Sequence, residues 1–265
     1  SGAAPPPPPP PPPLPPFPTL RSTRRWARRP RHPLSPREGG TGRKSACPPP
    51  SHTQPHLPHT PFFFQAGWAV DLASPVGGPI PVDAASRGGD FYTPAARRFD
   101  EETDTKTLLG ASKRLADVDP SAADVVFVAG GHGAVADLAS PSVGAFLAAA
   151  AEAGKVVATV CHGAVALLGP GAEALVRGRR VTGFSDAEEA AVGKVDAVGG
   201  PGKTLEARLK AGGADFTSGP DWGEHVVVDG KLVTGQNPAS SAAAAAAAVK
   251  AAAAPPTPEV EAGGG

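Results

Sequence analysis

Apolar residues in the second half of the chain come in short continuous runs, each ending at glycine or polar residues. The clearest runs are 124–129 and 155–160, and a glycine-containing loop follows each of them directly. Continuous valine-rich runs are typical of strands buried on both faces of a parallel sheet. Shorter runs predict four further strands, at 69–73, 180–182, 226–228 and 232–234.

Helical segments alternate with these runs, and structure is expected to begin near Phe62. One helix is predicted over 143–153 and stops at Gly154, and another starts at 164–168. Two more are predicted over 204–211 and 240–253. The pair Asp229-Gly230 predicts a hairpin turn between two of the strands. Strands that alternate with helices predict an α/β fold, with a mostly parallel sheet covered by helices on both faces.

The first sixty residues have a different composition. They hold 20 of the 34 prolines and nine Lys or Arg against one acidic residue, whereas the rest of the chain is mildly acidic. Such a segment buries too little apolar surface to offset its ordering entropy. We therefore predict a disordered Pro/Arg-rich segment at 1–60, one domain at 61–254 and a flexible tail at 255–265. The chain contains no methionine, which suggests a fragment, a processed form or an imperfect gene model.

Composition also excludes several classes of protein. Two cysteines, Cys47 and Cys161, are too few and too far apart for a disulfide framework or a structural zinc ribbon. No run of eighteen apolar residues is present, so we expect no membrane span. The acidic balance of the domain argues against nucleic-acid binding. A cytoplasmic protein is expected, although the Arg-rich stretch 21–31 also has the character of an organelle-targeting segment.

Cys161 follows the run 155–160 directly, and Gly163 comes two residues later. A strand that turns abruptly into a helix, with a nucleophile at the turn, is typical of a nucleophile elbow. Because a helix N-terminus favours negative charge, we expect a reactive thiolate presented to solvent above the sheet. The alternative is a buried core cysteine without chemistry.

A second glycine-rich loop, at 130–133, follows the other long strand and contains Gly130, Gly131 and His132. Glycines there leave backbone N–H groups open, as an oxyanion hole requires; a plain strand-to-helix turn is the alternative. His162 adjoins the cysteine, and an acidic residue from 186–189 is the candidate for orienting its ring. No recognised metal-ligand spacing links His132, Cys161, His162 and His225, so no metal is expected.

These motifs occur together in one order along the chain. They are Ala-Ser-Pro (73–75), Ala-Gly-Gly-His-Gly (129–133), Val-Cys-His-Gly (160–163), Val-Thr-Gly-Phe (181–184) with Glu188 and Glu189, Asp-Trp (221–222) before His-Val-Val-Val-Asp-Gly (225–230), and Thr-Gly-Gln-Asn-Pro-Ala-Ser (234–240). The set resembles the ThiJ/PfpI (DJ-one) superfamily, and most closely its glutathione-independent glyoxalase III, or chaperone-like, branch. The resemblance covers about residues 62–250.

The resemblance implies a flavodoxin-like sandwich of the class I glutamine-amidotransferase type, usually a homodimer. It implies conversion of the 2-oxoaldehyde methylglyoxal to D-lactate (D-lactate dehydratase activity), with no cofactor, glutathione or metal. Cys161 would be the nucleophile, His162 the adjacent acid/base, and Glu189, or less favourably Glu188, the orienting acid. The oxyanion and substrate would be held at Gly130, Gly131 and His132, with backbone N–H groups of Gly131 and His162 as donors.

One part of the family pattern is missing. A glutamate at the end of a first strand is expected about a dozen residues before Ala66, but that stretch is proline-rich and offers only Gln54. Proline excludes a central strand there. Two hypotheses follow: a glyoxalase III-type enzyme whose first segment is misread, or a catalytically weak chaperone-like or redox-sensing relative. Cysteine-dependent hydrolysis of peptides or amides is a lesser alternative.

Overall fold

A computed structural model describes Phe63, residues 67–82, Arg87, Tyr92, residues 94–101 and residues 103–254. The predictions for the Pro/Arg-rich segment 1–60, for Cys47, for Gln54 in place of a glutamate and for the tail 255–265 lie outside the described residues.

Eight short strands lie within the described ranges. They are β1 (Ala73–Ser74), β2 (Lys113–Arg114), β3 (Val125–Val128), β4 (Val156–Val160), β5 (Arg180–Val181), β6 (Asp215–Phe216), β7 (Val226–Asp229) and β8 (Leu232–Gly235). The predicted strand at 69–73 is much shorter than expected, since only Ala73 and Ser74 pair with a neighbour. The other predicted strands agree with the structure to within one or two residues.

Seven α-helices accompany the strands in the described part of the chain. They are α1 (Pro94–Glu101), α2 (Thr103–Gly110), α3 (Ala134–Asp137), α4 (Pro141–Glu152), α5 (Asp186–Ala191), α6 (Leu205–Ala211) and α7 (Ser241–Ala253). Side-chain caps start two of them, because Thr204 accepts a hydrogen bond from the N–H of Ala207 and Ser185 from that of Glu188. α4, α6 and α7 are the predicted helices at 143–153, 204–211 and 240–253.

The main sheet has the strand order β3-β4-β8-β7. β4 is parallel to both of its neighbours, β3 and β8, while β7 and β8 are antiparallel. The hairpin predicted at Asp229-Gly230 is confirmed, with Asp229 paired to Leu232. Two further pairs, β1–β2 and β5–β6, are also parallel. The mixed, mostly parallel sheet confirms the α/β prediction.

Helices cover both faces of this sheet. On one face, Ala244 and Ala248 of α7 pack against Val156, Ala158 and Val233. The small alanine side chains allow the helix to lie close to the strands. On the other face, Val143, Leu147 and Ala150 of α4 pack with Val157 and Val160. All five residues of β4 are therefore buried, and its carboxyl end is a fixed platform.

The segment after β4 departs from the prediction. A 3-10 helix runs from Cys161 to Leu168, where an α-helix beginning at 164–168 was expected. The tighter turn begins at the cysteine itself and buries residues 161–167. None of the described helices combines the length and apolar character needed to cross a membrane.

Candidate active site

Cys161 lies at the carboxyl end of the central strand β4 in a left-handed backbone conformation, with φ of +56°. Among the described residues, Trp222 is the only other non-glycine residue with positive φ. Left-handed geometry costs a residue with a Cβ of the order of 1–3 kcal/mol and persists where the surroundings enforce it. The predicted sharp turn is therefore present, and it carries backbone strain at the nucleophile position.

Two glycines bring the loops after β3 and β4 into direct contact. A Cβ on Gly130 would lie 2.5 Å from the carbonyl oxygen of Val160 and 2.7 Å from the Cβ of Cys161. One on Gly163 would lie 2.6 Å from the carbonyl oxygen of Val128. Neither position has room for a side chain, so the Gly-Gly loop is held against the cysteine.

His162 connects the cysteine to a carboxylate. Its Nδ1 lies 3.5 Å from Sγ of Cys161, and its Nε2 lies 2.7 Å from Oε2 of Glu189. Side chains of consecutive residues seldom point together, and the left-handed turn at Cys161 is what permits it here. His162 and Glu189 are each only 1% exposed. The structure thus brings the three predicted residues into one chain of contacts.

The same carboxylate contacts a second histidine. Nε2 of His132 lies 2.8 Å from Oε1 of Glu189, and the His132 and His162 ring centroids are 4.2 Å apart. The side chain of His132 is 39% exposed. We refer to His132, His162 and Glu189 as the histidine–carboxylate cluster. The contact between Glu189 and the His132 side chain went unpredicted, because nothing in the sequence links residues 57 positions apart.

Glu188, the other candidate acid, points into a different network. Its Oε1 accepts hydrogen bonds from the backbone N–H of Trp222 and from the side-chain amides of Gln236 and Asn237, at 2.8–3.1 Å. Its Oε2 accepts from the N–H and hydroxyl of Ser185. We refer to Glu188, Gln236 and Asn237 as the carboxylate–amide clamp. The clamp fixes the loop that carries Trp222.

Burial raises the pKa of the Cys161 thiol to about 12, and the charges of Glu188 and Glu189 act in the same direction. The backbone N–H groups of His162 and Gly131 hydrogen-bond to the sulfur and lower that pKa in part. The sequence predicted a thiolate presented to solvent, and that prediction is wrong because Cys161 is buried. Cys161 is only 7% exposed, and this burial favours the thiol over the thiolate.

The charges of the cluster follow from its burial and hydrogen bonds. Burial lowers the pKa of His162 more than its contact with Glu189 raises it. Burial alone would raise the pKa of Glu189, but hydrogen bonds from His132 and His162 outweigh it and bring that pKa to about 2. An ionised carboxylate only accepts hydrogen bonds, so Nε2 of His162 carries its proton. Nδ1 is then free to accept the thiol proton.

Aromatic side chains form one wall of the site. The Phe184 ring lies 4.5 Å from the His162 ring and 5.8 Å from the Trp222 ring, measured between centroids. Trp222 is 38% exposed, and its left-handed backbone is held by the clamp. The sequence contains both residues within its motifs, but nothing in it predicts that they line the site.

The chain was compared with families of known proteins. Residues 62–251 match the model of the DJ-1/PfpI family. The chain belongs to the DJ-1/PfpI family. The resemblance identified from the sequence motifs is thereby confirmed, and with it the α/β fold of that family.

Curated relatives of this DJ-1/PfpI protein include several yeast proteins. Glyoxalase 3 of Candida albicans is 30% identical over 189 residues, which cover 68% of this chain and 79% of that protein. The probable glutathione-independent glyoxalase hsp3103 of Schizosaccharomyces pombe is 35% identical over 139 residues, or 49% of this chain. The match spans only about half, 53%, of that relative's length.

Solved structures agree with these relatives. Glyoxalase III from Candida albicans superimposes with a TM-score of 0.66 at 28% identity, covering 74% of this chain and 85% of that one. The Rapid Encystment Protein of 24 kDa from Francisella tularensis gives the same TM-score and identity, covering 74% and 88%. The curated relatives and the solved structures thus agree with the family assignment.

Proposed function

We propose that this protein converts methylglyoxal to D-lactate without glutathione, using Cys161 as the nucleophile. The observation that carries the proposal is the contact chain from the Cys161 sulfur through His162 to Glu189, built on a strained turn. Relatives at about 30% identity named glutathione-independent glyoxalases support the substrate class.

In the first step, the sulfur of Cys161 attacks the aldehyde carbon while Nδ1 of His162 takes the thiol proton. The S–C bond forms and the carbonyl π electrons move to oxygen, which becomes an oxyanion. The backbone N–H groups of Gly131 and His162 hydrogen-bond to the sulfur, which supports them as the donors to that oxygen. Return of the proton from His162 to the oxygen gives a hemithioacetal.

In the second step, the proton on the former aldehyde carbon is removed and a proton is added to the neighbouring carbon. The first carbon is thereby oxidised to a thioester and the neighbouring ketone is reduced to an alcohol, so no external redox partner is needed. Water then cleaves the thioester to lactate and restores the Cys161 thiol. His162 is the base in contact with the sulfur in the described residues. Protonation from one face gives the D product.

Glu189 acts on this chemistry through His162. Its carboxylate fixes Nε2 as the protonated nitrogen and stabilises the imidazolium that forms when the thiol proton is transferred. The high pKa of the Cys161 thiol makes this transfer demanding, because the proton must leave at the moment of attack. A correctly oriented histidine is therefore essential to the proposed mechanism.

A redox-sensing function fits the site less well. Reactive sensor cysteines are exposed and have a low pKa, whereas Cys161 is buried and its pKa is raised to about 12 by that burial. Hydrolysis of peptides requires access for a polymer, and the Cys161 residue is only 7% exposed. A small aldehyde is the substrate that best suits the site.

The test is formation of D-lactate from methylglyoxal by purified protein, without glutathione or added metal. Cys161→Ser should reduce the rate at least a thousandfold, and Cys47→Ser, the matched control on the other cysteine, should leave it unchanged. Product should react with a D-specific and not an L-specific lactate dehydrogenase. Turnover that survives Cys161→Ser, or an inactive wild-type chain, would overturn the proposal.

The oligomeric state and domain limits belong to the same proposal. We propose a homodimer with a folded domain at 61–254, as the family resemblance implies. Size-exclusion chromatography with light scattering should give twice the chain mass of 26.4 kDa. A monomer at micromolar concentration would contradict the dimer without affecting the proposed chemistry.

A further inference from the structure

We propose that the histidine–carboxylate cluster is also a binding site for Zn²⁺ or a similar borderline divalent cation, and that the bound ion inhibits the enzyme. The donor atoms are Nε2 of His132, Nε2 of His162 and a carboxylate oxygen of Glu189. One donor atom from each of the three residues lies within 4.8 Å of the others, and both Nε2 atoms contact the Glu189 carboxylate. They come from three separate elements, the loop after β3, the turn after β4 and helix α5, so the fold itself brings them together.

The donor set suits zinc rather than magnesium or calcium. Two imidazoles and one carboxylate are a recurring set of three protein ligands that leaves a further position open, whereas Mg²⁺ and Ca²⁺ prefer oxygen ligands. Tetrahedral bonds of about 2.0–2.1 Å separate donor atoms by roughly 3.3 Å. The contacts of 2.8 and 2.7 Å, one to each oxygen of Glu189, would open by about half an ångström, and any donor separation near the 4.8 Å limit would close towards that value.

Access and mobility both lie on the His132 side. The His162 and Glu189 side chains are 1% exposed, but that of His132 is 39% exposed. An ion can therefore reach the carboxylate past His132, whose ring is the one that can adjust its position. The ion would replace the protons that now lie between each histidine and Glu189.

Inhibition follows from the two nitrogens of His162. A metal on Nε2 leaves the ring proton on Nδ1, and Nδ1 is the atom that faces the Cys161 sulfur. The imidazole then has no lone pair to accept the thiol proton. Cys161 itself lies on the opposite side of the ring and is not a ligand. The binding claim is independent of the proposed function, whereas the inhibition claim rests on it.

Binding is tested by calorimetric titration of the full chain with ZnCl₂, alongside absorption spectra with Co²⁺. His132→Ala and His132→Gln should each weaken the cluster's Zn²⁺ affinity at least tenfold and remove the Co²⁺ visible bands. His225→Ala is the matched control, since His225 contacts Thr217 outside the cluster. Cys161→Ser should also bind normally, and MgCl₂ should give no binding heat.

Histidines of the N-terminal segment provide a second control. The quadruple variant His32→Ala, His52→Ala, His56→Ala, His59→Ala should retain the site that His132→Ala removes. If the quadruple variant abolishes binding and His132→Ala does not, the proposed site is wrong. It is equally wrong if Cys161→Ser abolishes binding, because the ion would then be held by the thiolate.

Inhibition is measured as the rate with ZnCl₂ relative to each variant's own zinc-free rate. Wild-type turnover should fall at least tenfold at saturating zinc and recover on adding EDTA, while His132→Ala should lose much less. Binding without inhibition would overturn the inhibitory role. A wild-type chain that binds zinc but never converts methylglyoxal would sink the proposed function and leave the metal site standing.

Discussion

Helix α5 carries two adjacent glutamates that are equally buried and differently surrounded. Glu189 contacts two histidines, which can gain or lose a proton. Glu188 contacts amide, hydroxyl and backbone N–H donors, which cannot do so near neutral pH. The contrast shows that burial alone does not identify a catalytic acid. The chemistry of the hydrogen-bond partners decides whether a buried carboxylate orients a group that can transfer protons or holds a loop in place.

Glu189→Gln should have the largest effect, a fall in kcat/KM of about 10³–10⁴-fold. The amide would no longer fix Nε2 of His162 as the protonated nitrogen, so Nδ1 would not be reliably free to accept the thiol proton. The measurement is the initial rate of D-lactate formation. Asp186→Asn, on the same helix and exposed, is the control and should stay near wild type. A loss below tenfold would break the distinction between the two glutamates.

Glu188→Gln should act mainly on stability, lowering the free energy of unfolding by roughly 2–3 kcal/mol. Donors converge on both oxygens of this carboxylate, and an amide would leave some of them unpaired. Urea denaturation at pH 7 gives the value, and kcat should change less than tenfold. A large loss of kcat with unchanged stability would reverse the assignment.

Acidification should reveal the contribution of Glu189 to the stability of the fold. The pKa of Glu189 is lowered to about 2 in the folded protein from an ordinary 4.5, so the unfolded chain binds its proton first as the pH falls. The lowered pKa of Glu189 contributes fully to the free energy of unfolding above pH 4.5. This contribution is lost between pH 4.5 and pH 2, with about 2 kcal/mol lost by pH 3.

Burial lowers the pKa of His162, so the unfolded chain also binds the proton of this histidine more readily than the folded protein does. The free energy of unfolding therefore begins to fall below about pH 6.5. Urea titrations at pH 7, 5 and 3 should therefore show a steep acid limb. Glu189→Gln should flatten its lower part, and Glu188→Gln is the comparison variant. An identical slope in wild type and Glu189→Gln would contradict the lowered pKa.

Ser185→Ala should have the smallest effect, about 1 kcal/mol of stability, with kcat unchanged. Ser185 caps the helix that carries both glutamates and forms a capping box with Glu188. Thr204→Ala, which removes the cap of α6, is the matched control and should cost a similar amount. A change in kcat on Ser185→Ala alone would mean that the cap also positions Glu189.

The sheet could be predicted from the sequence because its strands are continuous apolar runs. β3, β4 and the β7–β8 hairpin have the boundaries that valine content and the Asp-Gly pair indicate. Helices α1 and α2 were not predicted. Their segment is rich in charged residues, and its buried side chains, such as Phe99 and Leu109, are widely spaced.

The site could be predicted in its residue types but not in its contacts. Strand ends placed Cys161 and Gly130 near each other, because parallel strands present their carboxyl ends at one edge. The roles of Glu188 and Glu189 could not be separated by spacing, since adjacent helix residues differ only in the direction of their side chains. That direction matters only once Gln236 and Asn237 are in place, 48 and 49 residues later.

The carboxylate–amide clamp also has a consequence for biosynthesis. Cys161 contacts the glycine-rich loop at 130–133, which lies about thirty residues earlier in the sequence. The clamp, by contrast, needs residues near position 237. A ribosome therefore releases the elbow and the histidine–carboxylate cluster well before the strand that secures the Trp222 loop. Because β8 and α7 complete the sheet around β4 and come from the same late stretch, the elbow is synthesised early but becomes fixed only when the clamp does.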